Sequence, residues 1–435
     1  MSGNTESNMS NLSITEIVNK NLKSRYKKES RFKKYGQLSI FLAAAFLIIF
    51  FTSIISKGYS AFYQAEIYLT INLDQEYIDP EKTGDIEEIR YGNYDAIAYK
   101  ALYDLFPDVT SRLEKRKLKD LLSSGAGIKI QRLVLKDLSL IGNSLELWLP
   151  LDDEVDMLIK GNIDTFLPEE SRRVSDSQIN FIRTLQADGL IKNKFNKTLF
   201  TSGDSREAEQ AGILGALIGS VLMLSITFII AFPLAVAAAI YLEEFAPKNK
   251  FIDFIEVNIN NLAAVPSIIY GLLGLAIFIN YFGMPRSAPL VGGLVLALMT
   301  FPVIIIASRA SLQSVPPSIR DAALGIGASK IQTIFDHVLP LALPGILTGS
   351  IIGMARALGE SAPLIMIGMV AFVVDIPSSP LDSSAALPVQ VYLWADSPER
   401  GFVEKTSAAI MVLLAFLLLM NSLAIWLRNK YEIKW

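Results

Sequence analysis

The sequence predicts an all-α membrane protein of six transmembrane helices, with one polar α+β domain inserted after the first. Three observations carry this. Hydrophobic residues make up 51% of the 435 and charged ones only 19%, short of the ~25% charge of a water-soluble domain. Five uncharged runs reach the ~20 residues a helix needs to cross about 30 Å of hydrocarbon, and a sixth is equally apolar except for Arg356 and Glu360. One stretch, residues 57–206, instead has a soluble composition of 25 acids and 20 bases. The absence of cysteine excludes a disulfide framework, thiolate metal sites and thiol catalysis. A single histidine, His337, excludes multi-histidine metal clusters, and the net charge of −3 argues against a nucleic-acid partner.

The uncharged runs are 35–56, 210–242, 257–285, 287–308 and 406–427, and the sixth is 340–374. Unpaired backbone groups cost several kcal/mol in lipid, so such runs are helices. None shows the ten-residue alternation of a membrane barrel. Residues 1–36 carry eight basic side chains, among them Lys27, Lys28, Arg31, Lys33 and Lys34, against three acids. Basic bias keeps such a tail in the cytoplasm. Six spans return the C-terminus to the same side, in agreement with Arg428, Lys430 and Lys434. The first span, 37–56, is too long for a signal peptide and has no convincing cleavage site, so an anchor is favoured.

This topology places 57–206 outside, as a periplasmic domain ahead of a transmembrane domain over 207–435. Ser111-Arg112-Leu113-Glu114 reads as a capping box opening a helix that runs to Gly125. Residues 68–73, 128–135 and 144–149 read as strands. The acids of this domain are dispersed and form no catalytic constellation. Within the spans, Pro233 and Pro266 are expected to kink or loosen their helices. Gly212, Gly215 and Gly219 are expected to allow close helix contact, and Trp394 and Trp435 fit membrane interfaces.

The loop 314–340, on the cytoplasmic side of the expected topology, is the most informative stretch. Pro316 and Pro317 stop the fourth span, and Ser318-Ile319-Arg320-Asp321 reads as a capping box starting a short helix. Gly325 and Gly327 end it. Ser329-Lys330-Ile331-Gln332 is a second capping box, whose helix puts Ile331, Ile334, Phe335 and Val338 on one face, and Pro340 closes it. Spacing leaves open whether this apolar knuckle packs on its own spans or meets a partner. It also leaves open whether Arg356 and Glu360 merely neutralise one another, and whether Arg309 is only a positive-inside anchor.

The order Asp321-Ala322-Ala323, three residues, Gly327, nine residues, His337, one residue, Leu339-Pro340 resembles the coupling loop of ABC-importer permeases. That family has glutamate where Asp321 stands and isoleucine where His337 stands. Residues 340–349, 355–364, 265–271 and 387–390 are similar to the phosphate-specific branch, PstA type, and the likeness covers about 208–435. The resemblance implies a type I ABC-importer permease fold in a bacterial inner membrane. It implies as partners a second related permease, a homodimeric ATP-binding subunit carrying ATP and Mg, and a periplasmic phosphate-binding protein. No cofactor and no enzymatic activity are expected in this chain, which has no G-x-x-x-x-G-K-[ST] loop. The resemblance also maps Arg309, Arg356 and Glu360 onto a pathway for inorganic phosphate. A guanidinium matches phosphate oxygens with a two-pronged fork, and Glu360 would weaken its grip and accept a hydrogen bond from protonated phosphate that sulfate cannot give. Sulfate or molybdate remain alternative cargoes, and a membrane-anchored sensor is a reading of another class.

Overall fold

A computed structural model describes residues 14–370 and 372–431 of the chain. Residues 1–13 of the basic tail, Lys434 and Trp435 lie outside the described residues. The chain divides between Ser56 and Lys57 into two compact units. The expected first span lies within α1 (Ile14–Gly58), 45 residues and so about 67 Å at 1.5 Å per residue. Phe41, Phe46, Ile48 and Ile49 along it are exposed.

The inserted region is α+β. Strand β1 (Tyr63–Asn72) is followed by α2 (Tyr94–Asp104), α3 (Arg112–Lys119), α4 (Gly125–Lys136), β2 (Ser144–Pro150), α5 (Asp153–Ile159), α6 (Asp176–Ala187) and β3 (Ile191–Phe195). The antiparallel sheet has the order β2-β1-β3, with Ile67 opposite both Leu149 and Ile191. Alternation along β1 buries Ala65, Ile67, Leu69 and Ile71 in one core with Ile97, Leu102, Ile130 and Val134.

Two sequence expectations fail here. Residues 128–135 form part of helix α4, not a strand. Ile128 and Ile130 alternate locally, but the buried residues are Ala126, Ile130 and Val134, four apart. The helix begun after Ser111 ends at Lys119 rather than Gly125, and the Ser111 side chain makes no capping bond. Strand β3 had no sequence counterpart, because its Lys192, Asn193 and Lys194 hide any apolar pattern.

The apolar part comprises α7 (Leu214–Ile240), α8 (Lys250–Ala263), α9 (Ser267–Gly274), α10 (Pro289–Gln313), α11 (Pro317–Gly325), α12 (Leu339–Gly359), α13 (Ala362–Met366), α14 (Leu387–Ala395) and α15 (Gly401–Tyr431). Among the described residues five helices, α1, α7, α10, α12 and α15, are long and apolar enough to cross a membrane, and the bent pair α8 and α9 brings the number to six if it counts as one span. The mostly helical architecture with five to six spans is the expected fold class.

The expected third span is broken at Ala264–Pro266 by 99°, the kink expected there, because Pro266 supplies no N–H and forms the N-cap of α9. Other details differ. Pro233, by contrast, lies inside continuous α7. The fifth span stops at Gly359, well short of residue 374. Gly212 and Gly219 make close contacts away from the long apolar helices: a Cβ would lie 2.4 Å from the carbonyl of Ser202, at the end of a short helix, and 2.4 Å from that of Ala385, respectively, while Gly215 is in ordinary contact. Close helix crossings lie elsewhere: at Gly293 of α10, where a Cβ would meet Ile226 of α7 at 2.7 Å, and at Gly349 of α12, where one would meet Ala307 of α10 at 2.2 Å.

Candidate functional site

Arg356 sits in the last turn of α12, where a cation offsets the negative helix end. Glu360 is the C-cap residue, already extended at φ −82° and ψ 122°. The pair therefore stands at a helix break rather than along one helical face. Arg356 Nε lies 3.6 Å from Glu360 Oε1, with the arginine side chain 51% exposed and the glutamate 20%. That distance is an ion pair too long for a hydrogen bond. Among the described residues no side chain or backbone group hydrogen-bonds the Arg356 guanidinium, so its fork is open to an anion.

Arg309 is placed differently. Its Nη2 donates to Glu256 Oε1 at 2.8 Å, and Nε and Nη2 both reach Glu243 Oε2 at 3.4 Å. Gln313 holds the same Glu243 oxygen at 2.9 Å. Gly345, Gly349 and Gly353 of α12 face Ser311, Ala307 and Ile304 of α10. This antiparallel register sets Arg356 opposite about residue 300, so Arg309 lies roughly 13 Å away along the axis. The structure brings Arg356 and Glu360 together and leaves Arg309 apart, bound by two carboxylates.

The knuckle starts at α11 with Pro316 as N-cap and Pro317 in the first turn, so the expected Ser318–Asp321 capping box is absent. Proline at this position needs no N–H partner and has its φ preset. Gly327 turns the corner at φ +94°, a conformation that favours glycine. The second capping box is present, with Ser329 N–H donating to Gln332 Oε1 at 2.9 Å and Gln332 N–H to Ser329 Oγ at 3.3 Å. The helix it opens is not closed by Pro340 but runs unbroken from Lys330 to Gly359. A π-turn at Thr333–Val338 precedes the proline, where the wider turn absorbs the missing donor. The expected common face is split. Ile334 and Val338 are buried with Ala323, while Ile331 and Phe335 are exposed together with Leu324 and Ile326. Asp321, Ala322 and His337 are exposed, and Leu339 and Pro340 are half-buried. A histidine in place of isoleucine at 337 therefore displaces no core packing.

Sequence reasoning missed Arg320, which fixes the knuckle. It pairs with Glu244 at 2.6 Å and donates to the carbonyls of Leu312 and Val315 at 2.9 and 2.8 Å, tying α11 to the end of α10. It also missed a buried ionic junction between the inserted region and α15. Lys160, after α5, lies between Asp156 at 2.5 Å and Glu404 of α15 at 2.6 Å, all three side chains under a tenth exposed. Glu404 also accepts from Ser60 Oγ at 2.6 Å, and Asp156 from the Ala65 N–H at 2.7 Å. Lys405 donates to the Ala211 carbonyl at 2.7 Å. Burial, only partly offset by Lys160, pushes the Asp156 carboxyl up to about 6, and burial beside Asp153 and Glu209 pushes Asp152 up to about 8. The available signal was Glu404-Lys405, two charges heading the last apolar run. Among the described residues no group of three or more acids or histidines is placed to hold a metal ion.

Residues 231–432 match the family "Binding-protein-dependent transport system inner membrane component", and residues 19–169 match "Domain of unknown function (DUF3333)". The chain is 36% identical to the Probable ABC transporter permease protein YqgI of Bacillus subtilis, over 38% of this chain and 56% of that one, little more than half of its length. It is 30% identical to the Phosphate transport system permease protein PstA of Haemophilus influenzae, over 51% of this chain and 78% of that one. The MetNI methionine ABC transporter, in an inward facing conformation, aligns with 50% of this chain and 97% of its own at 17% identity, with a TM-score of 0.41 that is too low to carry an argument. The chain belongs to the family of binding-protein-dependent transport system inner membrane components: it is a multi-pass permease component of an ABC transporter, without catalytic activity or a cofactor of its own.

Proposed function

We propose that the chain is a permease subunit of an ATP-driven importer of inorganic phosphate. The observation that carries this is Arg356, an open guanidinium at a helix break in an otherwise apolar span, loosely paired with Glu360. An ionisable residue in a span costs about 2.5–3.5 kcal/mol on insertion scales and faces a pathway or cavity. The fork suits phosphate oxygens, and a carboxylate beside it keeps the binding shallow enough for release. Glu360 also accepts a hydrogen bond from protonated phosphate, which sulfate does not offer. Relatives named phosphate transport system permease proteins support the cargo.

In this reading Arg309 acts indirectly, through its carboxylate pair at the knuckle end of α10. The exposed Leu324, Ile326, Ile331 and Phe335 form the surface that meets an ATP-hydrolysing subunit. A second permease completes the conduit, a periplasmic phosphate-binding protein delivers the ion, and both termini lie in the cytoplasm. Radiolabelled phosphate uptake in cells deleted for this chain tests the cargo. Uptake is expected to return with the chain and to resist excess sulfate or molybdate; strong competition by either would transfer the cargo to that oxyanion.

A further inference from the structure

Helix α8 stands at 99° to the helix that follows it, and three kinds of surface run along it. Ile252, Ile255 and Ile259 pack into the core, with Glu256 beside them bound to Arg309. Asp253 and Asn260 form a second, polar and exposed sector. Phe251, Phe254, Val257 and Leu262 form a third, each between 48% and 68% exposed. At about 100° per residue these sets occupy separate arcs of the helix. Asn258 and Asn261 interrupt the apolar arc, and Asn258 turns its amide back onto the Phe254 carbonyl at 2.7 Å.

A helix crossing the hydrocarbon would not expose Asp253 and Asn260, and a helix in water would not expose two phenylalanines, a valine and a leucine along one arc. Core, water and acyl chains together on one helix are what the membrane boundary imposes. Its depth agrees. Glu256 is held by Arg309, four residues from the end of α10 at Gln313, which places the contact within about 6 Å of that helix end. Lys248 and Lys250, exposed where α8 begins, suit anionic headgroups there. We propose that α8 lies in the membrane plane at the acyl–headgroup boundary on the knuckle's side, with Phe251, Phe254, Val257 and Leu262 seated on lipid. The crossing then belongs to α9 and the turn after it, and α8 is the lipid-anchored strut that holds Glu256 against Arg309.

The chain has no cysteine, so single substitutions label cleanly. Nitroxide-labelled Phe251→Cys, Asp253→Cys, Phe254→Cys, Val257→Cys, Asn260→Cys and Leu262→Cys variants of the full chain are reconstituted in phosphatidylethanolamine–phosphatidylglycerol liposomes. Collision with oxygen is expected to exceed collision with a water-soluble nickel chelate at 251, 254, 257 and 262, and the order to reverse at 253 and 260. The four apolar positions should share one shallow depth. A depth increasing by about 16 Å from 251 to 262, at 1.5 Å per residue, would make α8 a crossing helix and overturn the proposal. Low collision with both reagents at 254 and 257 would assign the face to a protein partner, and nickel dominance there would assign it to water; either result also overturns it.

Discussion

At the scale of single residues, the two arginines singled out by sequence have opposite surroundings. Arg309 is satisfied by Glu243 and Glu256, whereas Arg356 has one loose partner among the described residues. Arg309→Gln leaves two carboxylates facing each other at one-fifth to one-third exposure, so it is expected to lower stability by about 1 kcal/mol after allowance for screening. Thermal unfolding of the purified chain reads this, and an unchanged midpoint would return Arg309 to the list of freely available cations. Glu360→Gln keeps the shape but removes the carboxylate charge that repels sulfate and turns one acceptor oxygen into an N–H donor. Sulfate is then expected to compete for phosphate uptake where it did not before, and unaltered selectivity would discharge Glu360 from that role. The spacing of Arg356 and Glu360 was legible in the sequence. The helix end between them was also marked, by Gly359 and by Pro363 four residues on, but the apolar run 340–374 read through both.

At the scale of elements, apolar length alone revealed the spans, since hydrocarbon thickness sets one length for every crossing helix. What length does not reveal is where a span bends. The run 257–285 is uninterrupted in apolar length; Pro266, expected to kink it, turns the chain by as much as 99°, and α8 exposes a polar arc that begins before the run does, at Asp253. Pro340 shows the converse: proline reads as a stop, and a π-turn carries the helix past it. The knuckle was legible because capping and corner residues act locally, as at Ser329, Gln332 and Gly327. Its anchor Arg320 was not, since Glu244 lies 76 residues away in sequence. Ile326, 84% exposed at the corner, has no packing to lose. Ile326→Asp is therefore expected to leave folding intact while reducing co-purification of the ATP-hydrolysing subunit at least tenfold, a cost of about 1.4 kcal/mol. Undiminished co-purification would place the contact elsewhere.

At the scale of the whole molecule, the Lys160–Glu404 junction binds the inserted region to the head of α15 through charges that water does not reach. Removing one member of such a pair costs about 3–5 kcal/mol. Lys160→Met is expected to lower the unfolding midpoint sharply, and a double substitution with Glu404→Gln to recover part of the loss; additive losses would show that the two do not interact. Asp152 and Asp156 hold their protons more tightly in the folded chain than unfolded, so the folded state binds the excess protons. Their contribution to stability is greatest near pH 4 and falls as pH rises, through about 6 for Asp156 and about 8 for Asp152. Asp156→Asn should flatten the lower part of that slope. The sequence showed the composition of the inserted region but not this junction, whose members are scattered from Ser60 to Lys405.

The most direct test of the proposed conduit is ATP-driven phosphate uptake into proteoliposomes by the assembled transporter carrying Arg356→Gln. With assembly and ATP hydrolysis retained, uptake is expected to fall to background. Uptake at the wild-type rate would contradict a role for Arg356 in passage and return the Arg356–Glu360 pair to simple charge neutralisation.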